Sequence, residues 1–254
     1  MDAPAPEFCA EAELGYARAQ TRFDAETALR FDRLYRVAHL PLVNPRHPLV
    51  IAEDGPYRMG VHARVYSLVI PLPDQALRRS ANFLALEREI RSASFAAKIS
   101  WDIVEQRRDK LHATICGSLS VDNPPVIGDA QIAALAAISP FEVEIRGLFS
   151  GEINLGRLYL KAYPQKRATR NVFQDIQAAL GRKLTDLYPV GLYNFTEELT
   201  VPETTALADI IRRWRDVPLL RFKLDRLWLL GSSDDLVLES AIARTIKLGE
   251  SDSI

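Results

Sequence analysis

Cysteine is almost absent from this chain: Cys9 and Cys116 are the two among 254 residues. Two such distant thiols make neither a disulfide framework nor a zinc spacing. Histidine is nearly as scarce, with only His39, His47, His62 and His112, and four scattered imidazoles give no metal-ligand cluster. Neither sign of charge is in excess, since 32 Lys and Arg face 33 Asp and Glu for a net charge of −1. That excludes a global positive field for nucleic acid and leaves only a local patch. Long apolar runs are missing too. The longest, near Ser67–Leu72 and Ile132–Ile138, fall far short of the roughly 18–20 residues of a membrane span. The opening residues Met1-Asp2-Ala3-Pro4-Ala5-Pro6-Glu7 have neither the basic nor the apolar region of a secretory signal. The expectation is a soluble, cytoplasmic protein without metal, cofactor or membrane partner.

What remains is ordinary globular composition, 48% hydrophobic and 26% charged. The length suits one large domain or two small lobes. Residues 1–60 read as an N-terminal extension. Phe23, Leu29, Phe31, Leu34 and Tyr35 are spaced like a helix face, and Pro41, Pro45, Pro48 and Pro56 then break regular structure. This segment is too short to bury its own core, so it is expected to wrap the rest.

The main body runs over 61–254. Arg64–Leu72 is a strand apolar on both faces, and Asp74 is expected to cap a long helix reaching about Ala97. Leu111–Leu119 is a second strand, a short helix opens at Gly128, and Phe141–Phe149 alternates as a half-exposed strand. The second half repeats this order. Arg157–Tyr163 is a strand, Thr169–Leu184 a helix and Val190–Leu199 a strand. Thr200-Val201-Pro202-Glu203 has capping-box spacing, and Leu207, Ile210, Ile211 and Trp214 follow at helical period. Leu220–Leu230 and Leu236–Leu248 are closing strands. The predicted architecture is α+β, a duplicated strand-helix-strand-helix-strand in two lobes, about 61–150 and 151–254, with a central cleft.

The chemistry sits in Leu111-His112-Ala113-Thr114-Ile115. Alternation puts His112, Thr114 and Cys116 on one strand face. An imidazole moves protons and a hydroxyl binds phosphoryl oxygen. Cys116 is not a nucleophile activated by His112, because four strand residues separate them by about 13 Å. His112 precedes Phe141 by 29 residues, and Asn194 of Asn194-Phe195-Thr196 precedes Phe222 by 28. H-x-T in one lobe therefore corresponds to N-x-T in the other.

In these motifs, in element order and in the strand Phe222–Leu230, residues 61–248 resemble the two-histidine phosphoesterase superfamily. That superfamily includes RNA 2′,3′-cyclic phosphodiesterases and RNA ligase-like enzymes. The resemblance implies His112 as one proton-transfer group and Thr114 and Thr196 as phosphate ligands. Asn194 stands at the second histidine position and transfers no proton near pH 7. Substitutes and substrate-binding candidates are His62, Arg64 and Tyr66 on the strand opening lobe one, and Tyr159 and Lys161 on the matching strand of lobe two. Arg107, Arg108 and Lys110 precede the motif strand and can steer a phosphate, although paired arginines also suit solvated turns. His39 and His47 show no partner in the sequence.

Three functions stay open at this point. The chain is a metal-independent phosphodiesterase-like protein for a cyclic phosphate, small nucleotide or RNA end. Alternatively it is a catalytically inactive module that binds a nucleotide or RNA terminus. In the third reading it is a structural or partner-binding protein in which His112 is merely buried.

Overall fold

The computed structural model describes residues 5–23 and 26–249. Eight longer strands carry the fold: β1 (Val61–Pro71), β2 (His112–Val121), β3 (Phe141–Ser150), β4 (Arg157–Pro164), β5 (Pro189–Asn194), β6 (Pro218–Leu224), β7 (Arg226–Asp234) and β8 (Ser240–Lys247). They form two antiparallel sheets. One runs β2-β1-β7-β8, with a small hairpin of Glu53–Asp54 and Tyr57–Arg58 at the start of β1. The other runs β5-β4-β3-β6. The motif strands β2 and β5 are each paired to one neighbour in their own sheet, and they lie against each other. The architecture is therefore α+β with antiparallel sheets.

Among the described residues nine helices accompany the strands: the single turn Asp74–Leu77, α1 (Tyr16–Ala19), α2 (Arg33–Ala38), α3 (Leu40–Val43), α4 (Ala81–Ser92), α5 (Trp101–Gln106), α6 (Asp129–Ala136), α7 (Val172–Ala179) and α8 (Val201–Trp214). Helix α8 starts where its sequence predicts. The Thr200 hydroxyl accepts from the Glu203 N–H, and the Glu203 carboxylate accepts from the Thr200 N–H at 2.7 Å. Leu207 and Ile210 are buried, with α8 packed on β3. Among the described residues no helix is long and apolar enough to cross a membrane.

Several predicted boundaries move, each for a local reason. The long helix from Asp74 is broken into a single turn, Asp74–Leu77, and α4. Ser80 caps α4 by accepting from the Phe83 N–H at 3.3 Å. The Asp74 carboxylate instead receives Arg78 at 2.8 Å and Arg108 at 3.1 Å. The run Leu220–Leu230 is two strands, β6 and β7, parted at Asp225 and placed in different sheets. The last strand begins at Ser240 rather than Leu236. The Asp234 carboxylate accepts from the N–H groups of Leu236, Leu238 and Glu239, and this turn holds Val237 at φ +56°.

The sheets also do not follow the halves of the chain. β3, expected to close lobe one, pairs with β4 and β6, while β7 and β8 of the second half join β1. The boundary near residue 150 thus divides the sequence and not the sheets.

The N-terminal extension does wrap the body, though little of its expected helix forms. Among its described residues it is helical at α1, α2 and α3, with one 3₁₀ turn at Glu11–Glu13. Its first part lies along the second sheet, while its hairpin at 53–58 extends the first. The Cys9 N–H donates to the Pro164 carbonyl, and the buried Tyr16 hydroxyl donates to the Ala162 and Tyr188 carbonyls at 2.9 and 3.0 Å. Farther along, Tyr35 donates to the Phe195 carbonyl at 2.6 Å and rests on Gly156, where a β-carbon would lie 2.3 Å from its ring.

Candidate functional site

His112 opens β2 as a half-buried residue. Its Nδ1 lies 2.7 Å from the Lys110 carbonyl oxygen. A carbonyl only accepts, so Nδ1 carries the proton and Nε2 keeps its lone pair in the neutral ring. Burial pushes the His112 pKa down to about 4, and the charges of Arg107 and Arg157 add to that push against the carbonyl's opposing effect. At neutral pH the ring is therefore a neutral acceptor facing two cations.

Those two cations define the site. Arg107 follows α5 and is only 2% exposed. It reaches β5 and donates to the Gly191 carbonyl at 3.0 Å and the Leu192 carbonyl at 3.5 Å, while its Nε has no acceptor among the described residues. Arg157 begins β4, opposite Asn194 in register. It donates to the Asp235 main-chain carbonyl at 3.1 Å, and its buried Nε likewise has no acceptor there. Neither guanidinium makes an ion pair with a carboxylate of the described residues. Asp234 and Asp235 are the acidic neighbours, but both are committed. Asp234 holds three backbone N–H groups, and Asp235 holds Tyr57 at 2.9 Å and His62 at 3.3 Å. Burial and then the like charge of Arg157 drive the Arg107 pKa well below its ordinary value. Burying an unpaired ion costs several kcal/mol, so this arrangement favours a bound counter-anion.

Asn194 is 1% exposed, and neither its amide nitrogen nor its oxygen has a partner among the described residues. It lies beside the Tyr35 hydroxyl. His39, at the junction of α2 and α3, is fully buried, with both ring nitrogens unpartnered among the described residues. It stacks on Tyr35 at 5.4 Å between centroids. Arg157, Asp235, Arg107 and Asn154 surround it, and burial above all pushes its pKa down to about 3. The sequence gives no signal for His39, Arg157 or Asn154 as site residues, whereas it places Arg107 among those able to steer a phosphate. Arg107 in particular is a buried cation and not a solvated turn.

The structure brings His112 and Asn194 toward one cluster but not the two threonines. Thr114 is exposed, and Thr196 donates its hydroxyl to the Lys98 carbonyl at 3.2 Å. Cys116 does not share their face. A bulge places Thr114 opposite Val69 but Cys116 opposite Leu68, and consecutive strand residues point to opposite faces. Burial raises the Cys116 thiol to about 11.

Of the remaining candidates, Tyr159 lies in the cluster, with Arg157 5.3 Å from its ring. His62 borders it through Asp235, and that contact raises the His62 pKa. Arg64 turns to Ser233 at 3.4 Å, and Tyr66 packs over Gly231. Lys161 is structural. It is 2% exposed and bonded at 3.0 Å to Glu11, which also takes the Tyr163 hydroxyl. Among the described residues no three His, Cys, Asp or Glu side chains form a metal-holding group.

No family model matches the chain, and no curated protein matches it. Among solved structures, the crystal structure of TT0787 of Thermus thermophilus is similar over 74% of this chain and 99% of its own. The identity is 12% and the TM-score 0.42.

Proposed function

We propose that this chain is a metal-independent phosphodiesterase-like protein whose ligand is a cyclic phosphate, small nucleotide or RNA end, held in the cluster around His112. The observation that carries this reading is the pair of guanidiniums, buried Arg107 and half-buried Arg157, without carboxylate partners among the described residues. A phosphate accepts from several guanidinium donors at once, and Asn194 adds a neutral amide. The resemblance of Leu111–Ile115 to the phosphoesterase motif supports the same ligand class. So does the meeting of the two motif strands, each an edge of a four-stranded array, as expected of a duplicated two-lobe fold.

In hydrolysis, His112 Nε2 is the general base, since the Lys110 carbonyl fixes its tautomer. The inactive binding module remains the second reading, favoured by Asn194, which moves no proton. The test is hydrolysis of a panel of 2′,3′-cyclic nucleotides and short RNAs in chelator, with calorimetric titration by inorganic phosphate and His112→Ala as control. Turnover lost in the control supports the enzyme. Binding without turnover supports the module. Absence of both, at millimolar ligand, rejects the phosphate site.

A further inference from the structure

We infer that His62 controls the anion site through Asp235: as an imidazolium it holds the Asp235 carboxylate away from Arg157, and on losing its proton it frees that carboxylate to become the counter-ion of Arg157 in place of phosphate. This rests on the phosphate reading above. His62 touches no phosphate and is a positioning residue. Both of its ring nitrogens lie on acceptors. Nδ1 is 2.6 Å from the Ala63 carbonyl oxygen, and Nε2 is 3.3 Å from Asp235 Oδ1. A neutral imidazole has a single N–H, so only the charged ring satisfies both. Once neutral, the ring keeps its proton at Nδ1, on the shorter contact, and turns a lone pair toward the carboxylate. Tyr57, which donates to Asp235 Oδ2 at 2.9 Å from the hairpin at 53–58, is then left to hold the carboxylate without a cation.

Arg157 is already seated on the same residue. It donates to the Asp235 main-chain carbonyl at 3.1 Å, its buried Nε has no acceptor, and it pairs with no carboxylate among the described residues. Rotation of the Asp235 side chain is therefore enough to bring its carboxylate to the guanidinium. The backbone of the turn stays in place, because the Asp234 carboxylate holds the N–H groups of Leu236, Leu238 and Glu239. Carboxylate and phosphate both match the donor fork of an arginine, so the two anions compete for one cation. The charged and titratable groups facing His62 are Asp235, Asp234 at the end of β7, and Tyr57 of the hairpin. Burial would raise the Asp235 carboxyl, but the hydrogen bonds of His62 and Tyr57 help bring it down to about 2. Burial and the charge of Asp235 push the Tyr57 phenol up. The imidazole, raised chiefly by its bond to Asp235, is thus the group of this trio that changes charge just above neutral pH.

The experiment is calorimetric titration of the full-length protein with sulfate from pH 6 to pH 9, a range over which sulfate keeps its charge. The expected result is at least tenfold weaker binding at pH 9, with the His62 ring, followed by ¹⁵N NMR, losing its proton over the same interval. At pH 6, His62→Ala should cost at least tenfold in affinity in the native chain. In an Asp235→Asn background it should cost little, since no carboxylate is left to compete. An equal cost in both backgrounds would reduce His62 to a plain positive charge and overturn the inference. Binding that stays level from pH 6 to pH 9 would also overturn it and leave the anion site standing. No binding of sulfate or phosphate at millimolar concentration, at any pH, removes the site and its control together. The native profile decides the question even if a variant folds poorly.

Discussion

The guanidinium of Arg157 lies flat against Gly191: a β-carbon at Gly191 would sit 2.0 Å from Nη2 and 2.3 Å from Cζ of Arg157. The carbonyl of the same glycine accepts from Arg107 at 3.0 Å. One residue of β5 thus seats both cations, one over its α-carbon and one on its oxygen. Gly191→Ala should push Arg157 out of this seat. Expected are a stability loss of about 1–3 kcal/mol, the range for overpacking a filled site, and at least tenfold weaker phosphate binding. Denaturant unfolding and calorimetry measure the two. A stable variant with unchanged phosphate affinity would place the anion elsewhere.

Arg157 itself allows a sharper separation of stability from binding. Its charge is half-buried with no carboxylate partner among the described residues, and it makes a single hydrogen bond, to the Asp235 carbonyl. Removing an uncompensated buried charge is often neutral or stabilising. Arg157→Leu should therefore leave stability within about 1 kcal/mol of the native chain, allowing for the one lost bond. Phosphate should raise the melting temperature of the native chain through linkage and leave that of Arg157→Leu unmoved. A phosphate-dependent rise of equal size in both proteins would count against the site.

How far the sequence foretold this site follows from which interactions were local. The strand His112–Val121 and helix α8 were legible because period and capping are written in adjacent residues. The passage of Leu220–Leu230 from one sheet to the other was not. Both strands are rich in apolar and β-prone residues, and nothing in that pattern says which neighbour each will find. The bulge that turns Cys116 away from Thr114 is equally silent, since simple alternation assumes unbroken pairing. Arg107 looked like a solvated charge beside Arg108. Only the approach of β5, far along the chain, supplies the Gly191 and Leu192 carbonyls that bury it. His39 reaches the cluster by the path of the whole N-terminal segment, for which no short motif exists.

The two depressed imidazoles carry a pH signature. His112 titrates at about 4 and His39 at about 3 in the folded chain, against an ordinary value near 6.5 in the unfolded chain. Between those values the unfolded state binds protons that the folded state refuses, so stability rises with pH there. It is fully present above pH 6.5 and is lost as pH falls toward 4 and then 3. At 1.36 kcal/mol per unit, each ring contributes on the order of a few kcal/mol. Unfolding free energies measured from pH 7 to 4 should fall accordingly. His39→Gln and His112→Gln should each flatten the slope, and phosphate should flatten it too by stabilising the charged rings. A slope unaltered in both variants would assign the acid lability to other groups.

Asp32 is the clamp that sets the N-terminal segment on the body. Its Oδ1 accepts from the Tyr35 and Leu155 N–H groups at 3.2 and 3.0 Å, and its Oδ2 accepts from the Asn154 N–H at 2.9 Å. One carboxylate therefore caps α2 and ties it to the turn before β4, within a few residues of Arg157. Asp32→Ala leaves these donors without acceptors, which should cost about 1–3 kcal/mol. Asp32→Asn keeps one acceptor oxygen and should lose less. Hydrogen exchange reads the geometry directly. Amides of α2, α3, Asn154 and Leu155 should lose protection in Asp32→Ala, while those of α6, which among the described residues has no hydrogen bond to this segment, keep theirs. Unchanged protection of the α2, Asn154 and Leu155 amides in Asp32→Ala would show that other contacts hold the segment in place.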